Sequence, residues 1–296
     1  MKQTDKLKKD SQKSEIMPLE SYINKINEQR PVYMPYLTIG DPDSESTVKF
    51  ALDIIDAGAD ILELGIPFSD PTADGPVIEA AMVRALASGK FSLESIFNTA
   101  REIHSKRPSI PLVFLGYLNP LLHVTHDKNL KGKSLITAVE QLMIQCKSSG
   151  IKGLVIPDLP FDQPESELFR EIGHTHGVSI VLMVAPNTEE SRIKKIGKYG
   201  SGFIYYVTST GVTGERKELP LDIQKRISRV QKLTGLPVIA GFGISSPDHV
   251  KLLKKHVQGI IVGSMNHRII QESGTNSSGR LSEITAQFAA ELRKTD

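Results

Sequence analysis

The chain has 296 residues, enough for one large domain, and its 39% hydrophobic and 24% charged residues are typical of a globular protein with a sizeable core. Its net charge of +2 comes from nearly equal numbers of basic and acidic residues, so we expect no nucleic-acid partner. Its one cysteine, Cys146, excludes a disulfide framework, and no apolar run approaches the roughly 18 residues of a membrane helix. We therefore expect a cytoplasmic protein that does not bind a membrane.

The first elements in chain order are a tail and a short helix. Residues 1–17 are polar and basic, which predicts a flexible tail. Residues 18–29 have the spacing of a short amphipathic helix. Because no internal repeat or convincing boundary follows, we assign residues 18–296 to a single domain.

Strands and helices then alternate along the chain. Apolar, β-branched runs predict strands over 32–40, 60–68, 111–120, 153–160, 178–186, 202–209, 236–243 and 257–264. Helical spacing predicts helices over 44–57, 76–88, 92–106, 135–150, 163–177, 188–200, 219–235, 246–256 and 280–294. Two polar segments interrupt this alternation: residues 123–134 look inserted, and residues 273–279 predict a flexible linker before the last helix.

Eight apolar strands separated by helices predict a parallel sheet that is buried on both faces. We predict that this sheet closes into a (β/α)8 barrel, or TIM barrel, in one domain with a short N-terminal helix. The competing architecture is an open, doubly wound sheet. That fold usually has a glycine-rich dinucleotide fingerprint after its first strand, and the residues found there, TIGDPDSES, do not form one.

Glu63 is the most informative residue of the second predicted strand. Enzymes with this fold place their active sites at the carboxyl ends of the strands, and Glu63 lies there among apolar neighbours. A buried carboxylate without a partner is costly and its pKa rises, so proteins tolerate one chiefly at functional sites. The alternative is an internal ion pair, for which no strand supplies an evident lysine or arginine. We favour the functional interpretation.

A constrained loop, GIPFSDPTADGP, follows this strand and carries Asp70 and Asp74. Asp74 could reach a substrate above the barrel mouth, or it could cap the helix that follows. The residues alone leave these two interpretations equally open. Asp158, at the end of the fourth strand, is likewise either catalytic or structural.

Small residues in consecutive loops predict a phosphate site. Gly243 follows the seventh strand, and Gly263 and Ser264 follow the eighth; Gly214, after the sixth, could join them. Backbone amides after strands seven and eight are the usual phosphate site of this fold, because glycine lets an anion approach the backbone closely.

The remaining candidates are less specific. Tyr117 and Tyr205 lie on strands and either line the pocket or belong to the core. The eight histidines fall in helices or polar loops without metal-ligand spacing, so we expect no metal. Cys146 lies in a helical pattern, which predicts a buried structural thiol.

Several motifs together resemble one family, the alpha subunit of tryptophan synthase. The run LELGIPFSDPTADGP, residues 62–76, is similar to the family signature, and PYLTIGDP, GYLNP, IPDLP, STGVTG, GFGIS and VGS occur in the family's order. The resemblance covers about residues 18–270. It implies a lyase that cleaves indole-3-glycerol phosphate to indole and glyceraldehyde 3-phosphate in tryptophan biosynthesis, without a cofactor.

The resemblance also implies residue roles. Glu63 matches the acid/base that handles the proton at indole C3 and the glycerol hydroxyl, and Asp74 matches the acid that holds the indole N–H. The family's pocket and closing-loop positions are matched by Tyr36, Leu115, Tyr117, Tyr205 and Thr213. Its phosphate positions are matched by Gly214, Gly243, Gly263 and Ser264.

The family's partner is a pyridoxal-phosphate β subunit, in an α2β2 heterotetramer, to which indole is channelled. Pro67 and Asp70 match positions that face it. The chain departs from the family at Thr72, where an aliphatic residue is usual, and at Ser209, where arginine is usual. These departures support a second hypothesis, a catalytically weak subunit that mainly binds and activates a β subunit, whereas retention of both acids favours an active lyase.

Overall fold

The computed structural model of the chain describes residues 17–87, 89, 92–122, 135–207, 222–241, 243–244 and 246–294. Within them, eight parallel strands form a closed barrel in chain order, and the last strand pairs with the first. The predicted (β/α)8 architecture is therefore confirmed. The strands are β1 (Val32–Thr38), β2 (Leu62–Gly65), β3 (Leu112–Leu115), β4 (Ile151–Val155), β5 (Ser179–Val184), β6 (Ile204–Val207), β7 (Val238–Gly241) and β8 (Gly259–Val262).

Twelve α-helices occur in these described ranges, most of them between consecutive strands. They are α1 (Leu19–Asn27), α2 (Ser44–Asp56), α3 (Pro76–Ala87), α4 (Leu93–Lys106), α5 (Leu118–Leu122), α6 (Leu135–Ser148), α7 (Pro164–His176), α8 (Glu190–Tyr199), α9 (Ile223–Thr234), α10 (Pro247–Leu253), α11 (Ser264–Ser273) and α12 (Ser278–Arg293). One turn of 3-10 helix, Gly274–Asn276, precedes α12. None of the helices in the described part of the chain combines the length and apolar composition needed to cross a membrane.

The third predicted strand is too long. β3 ends at Leu115, and α5 begins at Leu118 and includes Pro120. Proline is tolerated there because the first turn of a helix has N–H groups that need no intrahelical partner. Asp158 accepts a hydrogen bond from the backbone N–H of Leu118 at 2.9 Å, so it has a structural contact with the start of α5.

The flexible linker predicted for residues 273–279 is wrong. This segment contains the 3-10 turn and the start of α12, and Ser277 within it is fully buried. The Ser277 hydroxyl donates to the carbonyl oxygens of Ile269 and Gly274, at 3.3 and 2.6 Å. The segment is thus an ordered connection between two packed helices.

Helix α11 itself was not predicted. Its buried residues are Asn266, His267, Ile269 and Ile270. Because half of this buried set is polar, the apolar spacing that indicates a helix is obscured.

The core has two layers. The larger lies between the strands and the surrounding helices and includes Cys146, which is buried as predicted. The smaller fills the barrel interior and includes Tyr36, Leu115 and Tyr205. Leu19 and Ile23 of α1 belong to this inner layer, so α1 packs against the barrel interior. The tail over residues 1–16 and the insertion at 123–134 lie outside the described residues.

Candidate active site

A cavity of about 480 Å³ lies at the carboxyl ends of the strands. Its walls combine two carboxyl groups, two tyrosines, several small residues and an apolar surface. The lining residues are Tyr36, Glu63, Asp74, Ile78, Leu115, Tyr205, Gly243, Ile244, Ile261, Gly263 and Ser264. The structure thereby brings together eight residues singled out from the sequence with three isoleucines that were not.

Glu63 is one of the residues that line this cavity; it lies on β2 and is fully buried. Neither of its carboxyl oxygens has a hydrogen-bond partner within the described residues. Burial raises the pKa of Glu63 well above its ordinary value, and the nearby charge of Asp74 raises it further. Both effects favour the protonated form of the carboxyl group, which is the form that can donate a proton.

Asp74 lies at the end of the loop after β2 and is 6% exposed. Its Oδ2 accepts a hydrogen bond of 2.6 Å from the Tyr117 hydroxyl, which in turn accepts one from the Ala73 N–H at 2.9 Å. Burial raises the pKa of Asp74 to about 6, against the opposing effect of the Tyr117 hydrogen bond. The carboxylate is thus held towards Tyr117, and among the described residues no hydrogen bond joins it to the helix backbone as a cap would require.

Tyr36 on β1 fits beside Glu63 because two glycines leave it room. Tyr36 and Glu63 are register partners on neighbouring strands. A Cβ atom at Gly65 would overlap the Tyr36 hydroxyl, and one at Gly263 would lie 3.1 Å from the Tyr36 ring. On the other side of the barrel, a Cβ at Gly241 would lie 2.6 Å from the Tyr205 ring. Small residues at these positions let both aromatic rings reach the cavity.

The far end of the cavity is formed by the residues after β7 and β8. Gly243 has a φ of +79°, a left-handed conformation that glycine adopts without strain. Gly263 caps α11, and Ser264 is its first residue. The N–H groups of a helix's first turn lack intrahelical partners, and the helix dipole favours an anion beside them. This end of the cavity is therefore suited to a phosphate group.

This geometry agrees with a comparison to known families. The sequence model of the family described as "Tryptophan synthase alpha chain" matches residues 23–295. The chain belongs to the tryptophan synthase alpha chain family. Members of this family are lyases of tryptophan biosynthesis that cleave indole-3-glycerol phosphate.

Individual relatives agree with the family model. The tryptophan synthase alpha chain of Leptospira interrogans is 43% identical over 275 residues, which cover 93% of this chain and 98% of the relative. That of Petrotoga mobilis is 39% identical over 265 residues, 89% of this chain and 96% of the relative. Family membership therefore rests on nearly the full length of the chain.

Solved structures of tryptophan synthase alpha chains have the same fold. The alpha subunit of Legionella pneumophila superposes with a TM-score of 0.80 at 27% identity, covering 93% of this chain and 97% of the subunit. A chain from the tryptophan synthase a2b2 complex of Pyrococcus furiosus superposes with a TM-score of 0.77 at 34% identity, covering 88% of this chain and 99% of that one.

Some predicted positions of the tryptophan synthase site lie outside the described residues. These are Thr213, Gly214 and Ser209, whose sequence positions fall between the end of β6 and the start of α9. Thr72, the other departure from the family pattern, is exposed and does not line the cavity. Tyr117 is not among the lining residues either, and its described contact with the site is the bond to Asp74.

The three isoleucines of the cavity wall were missed. Ile261 could have been found from strand alternation, because it shares a face of β8 with Gly259 and is two residues before Gly263. Ile78 lies four residues after Asp74 in the first turn of α3. Ile244 lies in the GFGIS motif directly after Gly243, and that position was the signal that could have marked it.

Proposed function

We propose that this cavity performs the lyase reaction of the tryptophan synthase alpha family, with Glu63 as the acid/base and Asp74 as the acceptor of the indole N–H. The observation that carries the proposal is the state of Glu63, a buried carboxyl group without a described partner and with a raised pKa. Such a group destabilises the fold, and proteins tolerate it chiefly where it has a chemical function; here it lines the same cavity as a second acid.

The reaction begins with a proton transfer. Protonated Glu63 donates to indole C3, which leaves a cation in the ring and a carboxylate on Glu63. That carboxylate then removes the proton of the glycerol hydroxyl next to C3. The C–C bond breaks, its electron pair restores the indole ring, and the oxygen becomes the aldehyde of glyceraldehyde 3-phosphate. Glu63 ends the cycle protonated, as it began.

Asp74 stabilises the intermediate through the indole nitrogen. When the ring carries a positive charge, an ionised acceptor at its N–H lowers the energy of the intermediate more than that of the substrate. With a pKa of about 6, Asp74 is mostly ionised at neutral pH, and its charge together with burial favours the protonated form of Glu63. The different environments of the two acids therefore suit them to different roles.

The remaining residues bind and orient the substrate. In this proposal Tyr36, Leu115 and Tyr205 enclose the indole, while Gly243, Gly263 and Ser264 bind the phosphate beside the start of α11. Tyr117 orients Asp74. Thr213 and Gly214 are assigned to the closing loop and the phosphate on the family resemblance alone.

We further propose that the chain works with a β subunit in an α2β2 heterotetramer and in the cytoplasm. The Pyrococcus furiosus structure named above comes from an a2b2 complex. Asp70 and Thr72 are exposed on the loop after β2 and are free to contact a partner, although Pro67, which the resemblance also assigns to that surface, is buried.

Indole release by the purified chain tests the proposal. It should be measured from indole-3-glycerol phosphate with the chain alone and with a β subunit added. We expect release in both, and more with the partner. No release in either measurement, together with intact stimulation of the β reaction, would favour instead the catalytically weak activating subunit that Thr72 and Ser209 suggest.

A further inference from the structure

Two polar side chains in the first turn of α11, Asn266 and His267, are fully buried. We call this pair the α11 clamp. A helix packed against a barrel ordinarily presents apolar residues there, since burying polar groups is costly unless they are hydrogen-bonded. The mechanism above uses neither residue. Both of them contact β1.

The α11 clamp completes the backbone hydrogen bonding of β1. Strand β8 pairs with β1 only as far as Val262, whereas β1 continues to Thr38. Asn266 donates to the Tyr36 carbonyl oxygen at 3.2 Å, and His267 Nε2 accepts from the Thr38 N–H at 3.0 Å. Beyond the end of β8, the clamp thus supplies the hydrogen bonds that a longer β8 would make to β1, and it joins α11 to β1.

The hydrogen bonds also fix the form of His267. The Thr38 N–H can only donate, so Nε2 is an acceptor and the proton of the neutral ring is on Nδ1. Nδ1 donates to Asp41 at 2.8 Å, and Arg84 of α3 holds the same carboxylate with two bonds of 2.8 Å. The clamp is therefore also connected to α3, the helix that begins just after Asp74.

We propose that the α11 clamp is a positioning device that sets the spacing between the phosphate end and the indole end of the active site. The amides at the start of α11 are within one helical turn of the clamp, and the clamp holds them against the strand that carries Tyr36. Because the glycerol carbons join the two ends of the substrate, the bond to be cleaved reaches Glu63 only if that spacing is correct. The inference rests on the proposed function.

Binding of the whole ligand and of its two parts separates positioning from a merely structural role. The ligands are inorganic phosphate, indole, and the unreactive substrate analogue in which hydrogens replace the glycerol hydroxyls. Joining two fragments increases affinity only when the protein holds both subsites at the spacing of the linker. Calorimetry or NMR titration of each variant with all three ligands measures how much the analogue gains in affinity over its two fragments.

His267→Asn and His267→Gln form a matched pair. The asparagine amide can still donate to Asp41 but cannot reach Thr38, whereas the glutamine oxygen reaches the place of Nε2 and can accept from Thr38. For His267→Asn we expect the analogue to bind roughly tenfold more weakly and kcat/KM to fall similarly, while phosphate and indole bind within about twofold of normal. His267→Gln should keep the analogue affinity and kcat/KM close to those of wild type.

Two further variants keep the test decisive if His267→Asn folds poorly. Asn266→Leu removes the other half of the clamp and an unpartnered buried oxygen, and it should also weaken the analogue selectively. Ile270→Ala weakens the packing of the same helix without changing the clamp. Any loss of affinity should therefore be similar for phosphate, indole and the analogue. Equal analogue affinity in wild type and both clamp variants would overturn the positioning role and leave the proposed function intact. Wild-type protein that binds neither phosphate nor indole would overturn both.

Discussion

Two buried acids of this barrel have opposite environments. Glu63 on β2 and Asp41 in the loop after β1 are 0% and 1% exposed. Glu63 has no hydrogen-bond partner among the described residues, whereas Asp41 receives bonds from His267 and Arg84. Burial raises the pKa of both groups, but for Asp41 the bonds from His267 and Arg84 outweigh burial and the net shift is downwards.

This difference shows that burial alone does not identify a catalytic carboxyl group. A buried acid whose bonds are satisfied by the protein is part of the scaffold. A buried acid without hydrogen-bond partners in the protein lowers the stability of the fold and is available to bind a ligand. Four substitutions, ordered from the largest expected effect to the smallest, test this distinction.

Glu63→Gln should have the largest effect on activity and little harmful effect on folding. Losing the acid/base should lower kcat/KM for indole release by roughly a hundredfold or more. Because the raised pKa of Glu63 costs stability as pH rises above its ordinary value, the variant should be at least as stable as wild type at pH 8. Steady-state kinetics and urea unfolding measure the two effects. Asp56→Asn, which removes an exposed carboxylate paired with Arg107, is the control; it should leave activity unchanged and lower stability by at most about 1 kcal/mol.

Asp41→Asn should show the reverse pattern, with a large loss of stability. Removing one member of a buried ion pair leaves its partner uncompensated, which costs about 3 to 5 kcal/mol, and the partial exposure of Arg84 favours the lower value. The lowered pKa of Asp41 means that wild type loses this stability only as the pH falls through that pKa. Urea unfolding at pH 7 checks the loss. An unchanged urea midpoint would show that Asp41 does not stabilise the fold, which would contradict the distinction drawn between Asp41 and Glu63.

Asp74→Asn should change how stability depends on pH. In the folded protein the pKa of Asp74 is about 6, above its ordinary value of 3.8, so wild type loses stability as pH rises between these values. At about 1.4 kcal/mol for each pH unit, the loss is at most about 3 kcal/mol. The variant should therefore match wild type near pH 3.5 and be the more stable above pH 6. Parallel stability curves for the two proteins would contradict the raised pKa.

Tyr117→Phe should have the smallest effect, a shift of the acidic limb of the activity profile. The Tyr117 hydroxyl lowers the pKa of Asp74, so its removal should raise that pKa above 6. The reaction needs ionised Asp74, and the acidic limb of kcat/KM should therefore move to higher pH by less than about one unit. Tyr22→Phe, whose hydroxyl bonds to the Asp60 carbonyl at the amino end of the barrel, is the control. Identical pH profiles of kcat/KM for Tyr117→Phe and wild type would show that this hydrogen bond does not affect the pKa of Asp74.

Local sequence patterns were enough to predict the barrel and to single out Glu63 as a candidate functional residue. Apolar runs and helical spacing are properties of consecutive residues, and the anomaly of a carboxylate among apolar neighbours is visible within β2. The role of Asp74 could not be decided in this way, because its partner Tyr117 is 43 positions away in the chain. Helix α11 was missed for the same reason, since the polar residues of its buried face are explained only by contacts with β1.

The contact between Gly65 and Tyr36 has a consequence for how this protein can change. A side chain at Gly65 would overlap not only the Tyr36 hydroxyl but also carbons of its ring, so replacing the tyrosine with phenylalanine would not make room. Position 65 is therefore open to a larger residue only if position 36 changes with it. In a library that varies both, survivors with alanine at position 65 should carry a smaller residue, such as leucine, at position 36. A change at position 65 made first would create the overlap, so we expect the change at position 36 to come first.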